Sequence, residues 1–152
     1  EKYNNSDNNP ADHALCSETV SYYYKAYGVG GGSTLSKTFF KNITSHGQLH
    51  DLFLAHGRLY CFHKSKGKWY KKDSNYDWNY DDEYTPQPGD YLNRKTDGDQ
   101  DGHSMMVAGK DNSTGEIIII EGPWGVNFRR IDIQEKEDAG KDYCLGKIPL
   151  ND

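Results

Sequence analysis

From Arg58 onward the sequence breaks into short apolar and aromatic runs separated by turn residues, and no other feature constrains the fold so strongly. Leu59 to His63 and Lys68 to Lys71 flank a Ser-Lys-Gly turn and read as a hairpin. Asp90 to Asn93, His103 to Ala108, Glu116 to Glu121, Phe128 to Ile133 and Tyr143 to Ile148 read as further strands, with Asn112 to Gly115 turning the chain between two of them. Residues 73–84 (DSNYDWNYDDEY) read as an acidic, aromatic loop.

The first third has a different texture. Residues 1–11 are polar and Asn-rich and read as a tail or linker. Asp12 can cap a helix running to Tyr27, stopped by Gly28, with Cys16, Val20, Tyr23 and Tyr27 on one face. Gly28 to Ser33 is a flexible loop, Ser36 to Asn42 a short helix, and Ser45 caps a helix that turns Leu49, Leu52, Phe53 and His56 inward before Gly57. Helices first and a mostly antiparallel sheet second make an α+β chain. At 152 residues it is one domain, with no internal repeat. With 34% hydrophobic residues and a mean hydropathy of -0.97 the core must be economical, and twelve tyrosines can pack rings while keeping hydroxyls wet.

Net charge is -5, which argues against a nucleic-acid partner. The basic stretch from His63 to Lys72 reads as the solvated face of a hairpin. No apolar run is long enough to span a membrane. The chain opens on Glu1 and not Met, which reads as a processed or excised product in which a signal peptide would not be seen.

Three cysteines is an odd number, and a thiol left over beside a pair is a flag for reactivity. Cys16 lies in the first turn of its expected helix, where unpaired N–H groups and the helix dipole favour thiolate. The plain alternative is a small hydrophobe on the packed face. Cys61 and Cys144 fall in expected strands, and outside the cytoplasm they can pair if their Cα atoms lie within about 7 Å.

A nucleophilic thiol needs a base. His103 opens a strand after a Gly-rich turn, where a side chain can face a groove. His13 competes but shares the frayed turn of Cys16. His46 and His50 stand four apart on a helix, the spacing of a metal pair, yet Gly47 replaces the expected Glu and no third ligand follows at a telling distance, so no metal is expected. His56 and His63 read as partly buried side chains. A base works better when its second ring nitrogen is held by an acceptor. A regular hairpin sets Glu121 directly opposite His103, with Asn127 and Asp132 as alternative acceptors and a solvated carboxylate as the bland reading.

Asp97, Asp99 and Asp101 alternate as in a calcium loop, but the closing acid would fall on Ala108, so a plain acidic turn is expected. Trp78 and Tyr80, taken with Trp124 as substrate-binding residues, can wall a groove and stack on a sugar or peptide, or pack on the body of the domain.

Cys16-Ser17-Glu18-Thr19-Val20, Pro86-Gln87-Pro88-Gly89-Asp90 and Gly102-His103-Ser104-Met105-Met106-Val107 follow one another in that order. Together they resemble the CHAP (cysteine, histidine-dependent amidohydrolase/peptidase) and NlpC-type amidases over residues 12–125. The resemblance implies a papain-like fold, N-terminal helices on a mostly antiparallel sheet of about five to six strands, as a single amidase domain over 12–152. It implies Cys16 as nucleophile, His103 as base and Glu121 as its orienting partner, with no cofactor. Pro123 departs from the pattern, since many CHAP domains carry Asn there and the NlpC type a His on that strand. The expected activity is hydrolysis of an amide bond in bacterial peptidoglycan by a protein secreted or delivered to the periplasm or extracellular space. A peptidoglycan peptide or a protein would be the substrate, and an immunity or inhibitor protein a partner. The rivals are a toxin-type cysteine peptidase, deamidase or acyl transferase acting on protein, and an inactive binding module.

Overall fold

The computed structural model describes residues 46–96, 98–121 and 127–148. The chain runs α1 (His46–Ala55), β1 (Leu59–His63), β2 (Lys68–Lys72), β3 (Trp78–Tyr84), β4 (Tyr91–Thr96), β5 (Gly98–Lys110), β6 (Ile117–Glu121), β7 (Asn127–Ile131), α2 (Ile133–Asp138) and β8 (Asp142–Gly146). All the strands join one sheet in the order β3-β2-β1-β8-β4-β5-β6-β7, and every neighbouring pair is antiparallel.

This corrects the α+β, papain-like expectation. The described residues build an eight-stranded antiparallel sheet with two short helices, in place of helices packed on a smaller sheet. The helices expected at 12–27 and 36–42 lie outside the described residues.

Particular residues explain the difference. Residues 78–84, read as loop, form the edge strand β3, mostly exposed or half-buried. An edge strand carries charge to discourage further pairing, so its hydrophobic alternation is lost. Of the acidic turn expected after Thr96, residues 98–102 run in β5, where Gly98 is paired to Thr96. Ile131-Asp132-Ile133 alternates like a strand, yet the Asp132 side chain accepts the Glu135 N–H at 3.1 Å and caps α2.

In the strand order, two meanders, β1-β2-β3 and β4-β5-β6-β7, are joined by β8, which pairs Cys144 with Cys61 on one side and with Asn93 on the other. A Cys61–Cys144 disulfide closes that seam, with Cα atoms 3.9 Å apart and the two cysteines 83 positions apart in sequence. In the chain-entropy model a loop of that length stabilises by about 4–5 kcal/mol.

One face of the sheet carries a cluster that includes Phe62 and Trp69 from β1 and β2, and Ile117, Ile119 and Ile131 from β6 and β7. The twisted sheet curls toward this face, so that Gln134 of α2 donates to the Lys64 carbonyl in the β1–β2 turn at 3.2 Å. On the other face α1 presses Leu49 and Phe53 onto Leu59, Tyr91 and Ile148. Phe53 stacks on Tyr91 at 5.3 Å, and Gly146 makes room: a Cβ there would lie 2.5 Å from the Phe53 ring. The Pro-Gly-Asp segment starts β4. Gly89 adopts φ +90° and donates its N–H to Val107, while the buried Asp90 carboxylate accepts from the Tyr84 hydroxyl and the Gln87 N–H, both at 2.8 Å. No helix among the described residues is long and apolar enough to cross a membrane.

Candidate functional site

His103 and Glu121 meet on the curled face of the sheet, each side chain 18% exposed. Met106 pairs with Ile120 and Val107 with Ile119, so the ladder sets Glu121 opposite Met105 and His103 two residues further on. The directly opposed register expected from the sequence is therefore corrected: the ladder leaves the turn with Lys110 opposite Ile117, three residues off that register, and the shift between Val107 and Gly109 recovers only one of them. The pair meets on the diagonal instead, His103 Nε2 to Glu121 Oε1 at 2.8 Å. A charged carboxylate accepts only, so Nε2 carries the proton and Nδ1 the lone pair.

Arg129, which the sequence reading missed, completes the arrangement from β7. Its Nε donates to Glu121 Oε2 at 2.7 Å and its Nη2 lies 3.4 Å from Oε1. Burial pushes the Glu121 carboxyl up, but the hydrogen bonds from Arg129 and His103 outweigh it and hold the group below the usual carboxylate range. Glu121 is thus ionised at neutral pH. On the other side of His103, Arg94 of β4 stands directly across from it, and Arg94 is in turn paired with Tyr143 of β8. Burial raises the Tyr143 hydroxyl pKa against the opposing pull of Arg94 and Arg129. A polar row, Tyr143–Arg94–His103–Glu121–Arg129, thus crosses five strands of an otherwise apolar face. An arginine opposite a hydrophobic strand position was the available sequence signal for Arg129.

The remaining expected site residues divide. Cys16 and Trp124 lie outside the described residues. Trp78 and Tyr80 are not brought to His103. They pack with His63 and Tyr70 at the β3 edge, on the α1 face, with Trp78 against the cluster of Phe53 and Tyr91. Four strands intervene between β3 and β5 in the sheet order, about 24 Å at the usual strand spacing. Of the alternative acceptors, Asp132 caps α2 and Asn127 is an exposed residue opposite Glu121. Within the basic hairpin, Lys68 and Lys71 face Glu83 and Asp82 of β3 at 3.1 and 3.9 Å. Compared with protein-family models, curated proteins and solved structures, this chain matches none.

Proposed function

We propose that this chain is a cysteine hydrolase that cleaves amide bonds of bacterial peptidoglycan through an acyl-enzyme. The observation that carries the reading is the His103–Glu121–Arg129 relay, an imidazole held by an ionised, doubly anchored carboxylate. The order of the Cys16, Pro86–Asp90 and Gly102–Val107 segments, which resembles the CHAP and NlpC-type amidases, supplies the nucleophile. His103 Nδ1 takes the Cys16 proton, and the thiolate attacks the amide carbonyl. Backbone N–H groups beside Cys16 stabilise the oxyanion. The imidazolium returns its proton to the departing amine, and water, deprotonated by the same ring, releases the acid and frees the thiol. Glu121 is a positioning residue: it holds ring and tautomer and offsets the imidazolium charge. The Cys61–Cys144 bond suits an oxidising compartment, which supports secretion or delivery outside the cytoplasm.

A net charge of -5 gives no attraction to an anionic wall and favours a second reading, the same chemistry on a protein substrate. Incubation with purified peptidoglycan, and separately with an unfolded protein mixture, followed by mass spectrometry, separates the two. Wall fragments bearing a new amine and carboxylate support the first reading. Their absence, or their persistence in Cys16→Ala or His103→Ala, sinks it.

A further inference from the structure

On the opposite face of the sheet, His50 descends from α1 and is only 4% exposed. Its Nδ1 lies 3.1 Å from Asp51 Oδ1 and its Nε2 3.1 Å from the Tyr76 hydroxyl. A carboxylate at Nδ1 selects the tautomer with its proton there, so the Nε2 lone pair faces inward and accepts from the Tyr76 O–H. The hydroxyl it meets lies against two sulfurs. One ligand atom from each of His50, Cys61 and Cys144 falls within 4.8 Å of the others, and all three residues are buried.

Tyr76 touches every member of the group. Its oxygen is 3.9 Å from Cys61 Sγ and 3.8 Å from Cys144 Sγ. Although 40% exposed overall, Tyr76 adopts a left-handed φ of 64°, a strained setting for a side chain of this size, and so brings its hydroxyl into the cluster. Lys72 braces it, donating to the Tyr76 carbonyl at 3.2 Å with its amine 4.3 Å from the ring centre. Beyond the Cys61–Cys144 pair the β1–β8 ladder ends, and a cleft of 260 Å³ lined by Lys72, Trp78 and Glu137 opens onto the sulfurs.

Two thiolates and a neutral imidazole whose far nitrogen is held by a carboxylate are the donor set of a zinc-class cation. We propose that, once the Cys61–Cys144 bond is reduced, His50, Cys61 and Cys144 bind one such divalent cation, with the Tyr76 oxygen at the fourth position. The same seam between β1 and β8 is then held either covalently or through a metal. A dithiol reductant gives two electrons and two protons to the Cys61–Cys144 bond and leaves as a cyclic disulfide. The cation then displaces both thiol protons to solvent, while His50 keeps its proton on Nδ1. This site lies on the face away from His103, and its success or failure is independent of the amidase reading.

The test is a cobalt(II) titration of the full chain carrying Cys16→Ala, so that Cys61 and Cys144 are its only cysteines, after dithiol treatment and anaerobic removal of the reductant. The expected result is one equivalent of cobalt with tetrahedral ligand-field bands and thiolate charge transfer, displaced by zinc, and nothing comparable in the oxidised protein. Adding His50→Ala, whose fold is checked in the oxidised form, weakens binding at least about tenfold, and Asp51→Ala weakens it about tenfold. Where reduction loosens the fold, zinc restores the circular dichroism. Absence of the bands, equal bands in oxidised protein, an unchanged His50→Ala titration, or a reduced chain that zinc does not refold would each overturn the proposal.

Discussion

Arg129 and Glu121 are joined twice, Nε to Oε2 at 2.7 Å and Nη2 to Oε1 at 3.4 Å, and this ties the carboxylate that holds His103 to the strand beyond it. Arg129→Ala removes one of the two hydrogen-bonding partners that keep Glu121 ionised against its burial. A depressed carboxyl pKa contributes stability that is present above the ordinary carboxylate range and is lost as pH falls through the folded value. The variant should therefore be less stable than the parent at neutral pH, with the gap closing in acid. Arg129 is 44% exposed, so the gap is at most about 1 kcal/mol. Thermal midpoints across the acid range check this, and a gap that widens toward acid refutes it.

Glu121→Gln should be milder than His103→Ala in the rate of amide cleavage. An amide oxygen still accepts the Nε2 proton but cannot offset the imidazolium charge, whereas removing the ring removes the base. Kinetics on released fragments, with a pH profile for each variant, decide the order; equal losses would leave Glu121 without its positioning role.

Glu137 reports pH through folding. Burial pushes its carboxyl up to about 7, only partly countered by the Tyr143 N–H it accepts at 2.6 Å. A raised folded pKa gives stability that is full below the ordinary carboxylate value, near pH 4.5, and is lost as pH rises through about 7. Glu137→Gln keeps an acceptor for Tyr143 and cannot ionise. Above neutrality it should be more stable than the parent by about 1–3 kcal/mol, with a flatter pH dependence in denaturant titrations. A variant with the parent's slope would show that the slope arises elsewhere.

The cysteines should count as one thiol and one bond. In denatured, unreduced protein a thiol reagent finds Cys16 alone, and Cys61 and Cys144 appear only after reduction. Cys61→Ala with Cys144→Ala should cost about 2–5 kcal/mol, read as a lower denaturant midpoint. Three reactive thiols before reduction would contradict the disulfide.

Gly146→Ala tests how closely α1 packs on the sheet. The added Cβ would stand 2.5 Å from the buried Phe53 ring, and relief requires α1 to lift from the sheet. A loss of about 1–3 kcal/mol is expected, and a neutral effect in urea denaturation would mean that the helix packs less tightly.

Much of the local architecture was legible before any coordinates. The helix at 46–55 follows from Leu49 and Phe53 at helical spacing, and the β1–β2 hairpin from a turn ending in Gly67, at φ +67°. The proximity of His103 and Glu121 followed from a short hairpin, even with the register two residues off, because a diagonal neighbour is still within reach. The edge strand β3 and helix α2 were lost because polar edges and capped helices mimic loops and strands over a few residues.

What the sequence by itself determined, then, is what neighbours along the chain can settle: the places of β1, β2, β4 and β6 and the turns that reverse them, whereas β5 begins at Gly98 and His103 lies within it. Tertiary structure alone decided that β8 lies between β1 and β4, that Cys61 faces Cys144, that His50 and Tyr76 close over those sulfurs, and that Trp78 and Tyr80 sit across the sheet from His103. The spacing of His46 and His50 could not show the neighbours of His50, because Cys61 and Cys144 arrive from strands 83 residues apart. Such contacts leave no periodicity in the sequence. They are selected by the free energy of closing a curled sheet over one core, which belongs to the whole chain and to no segment of it.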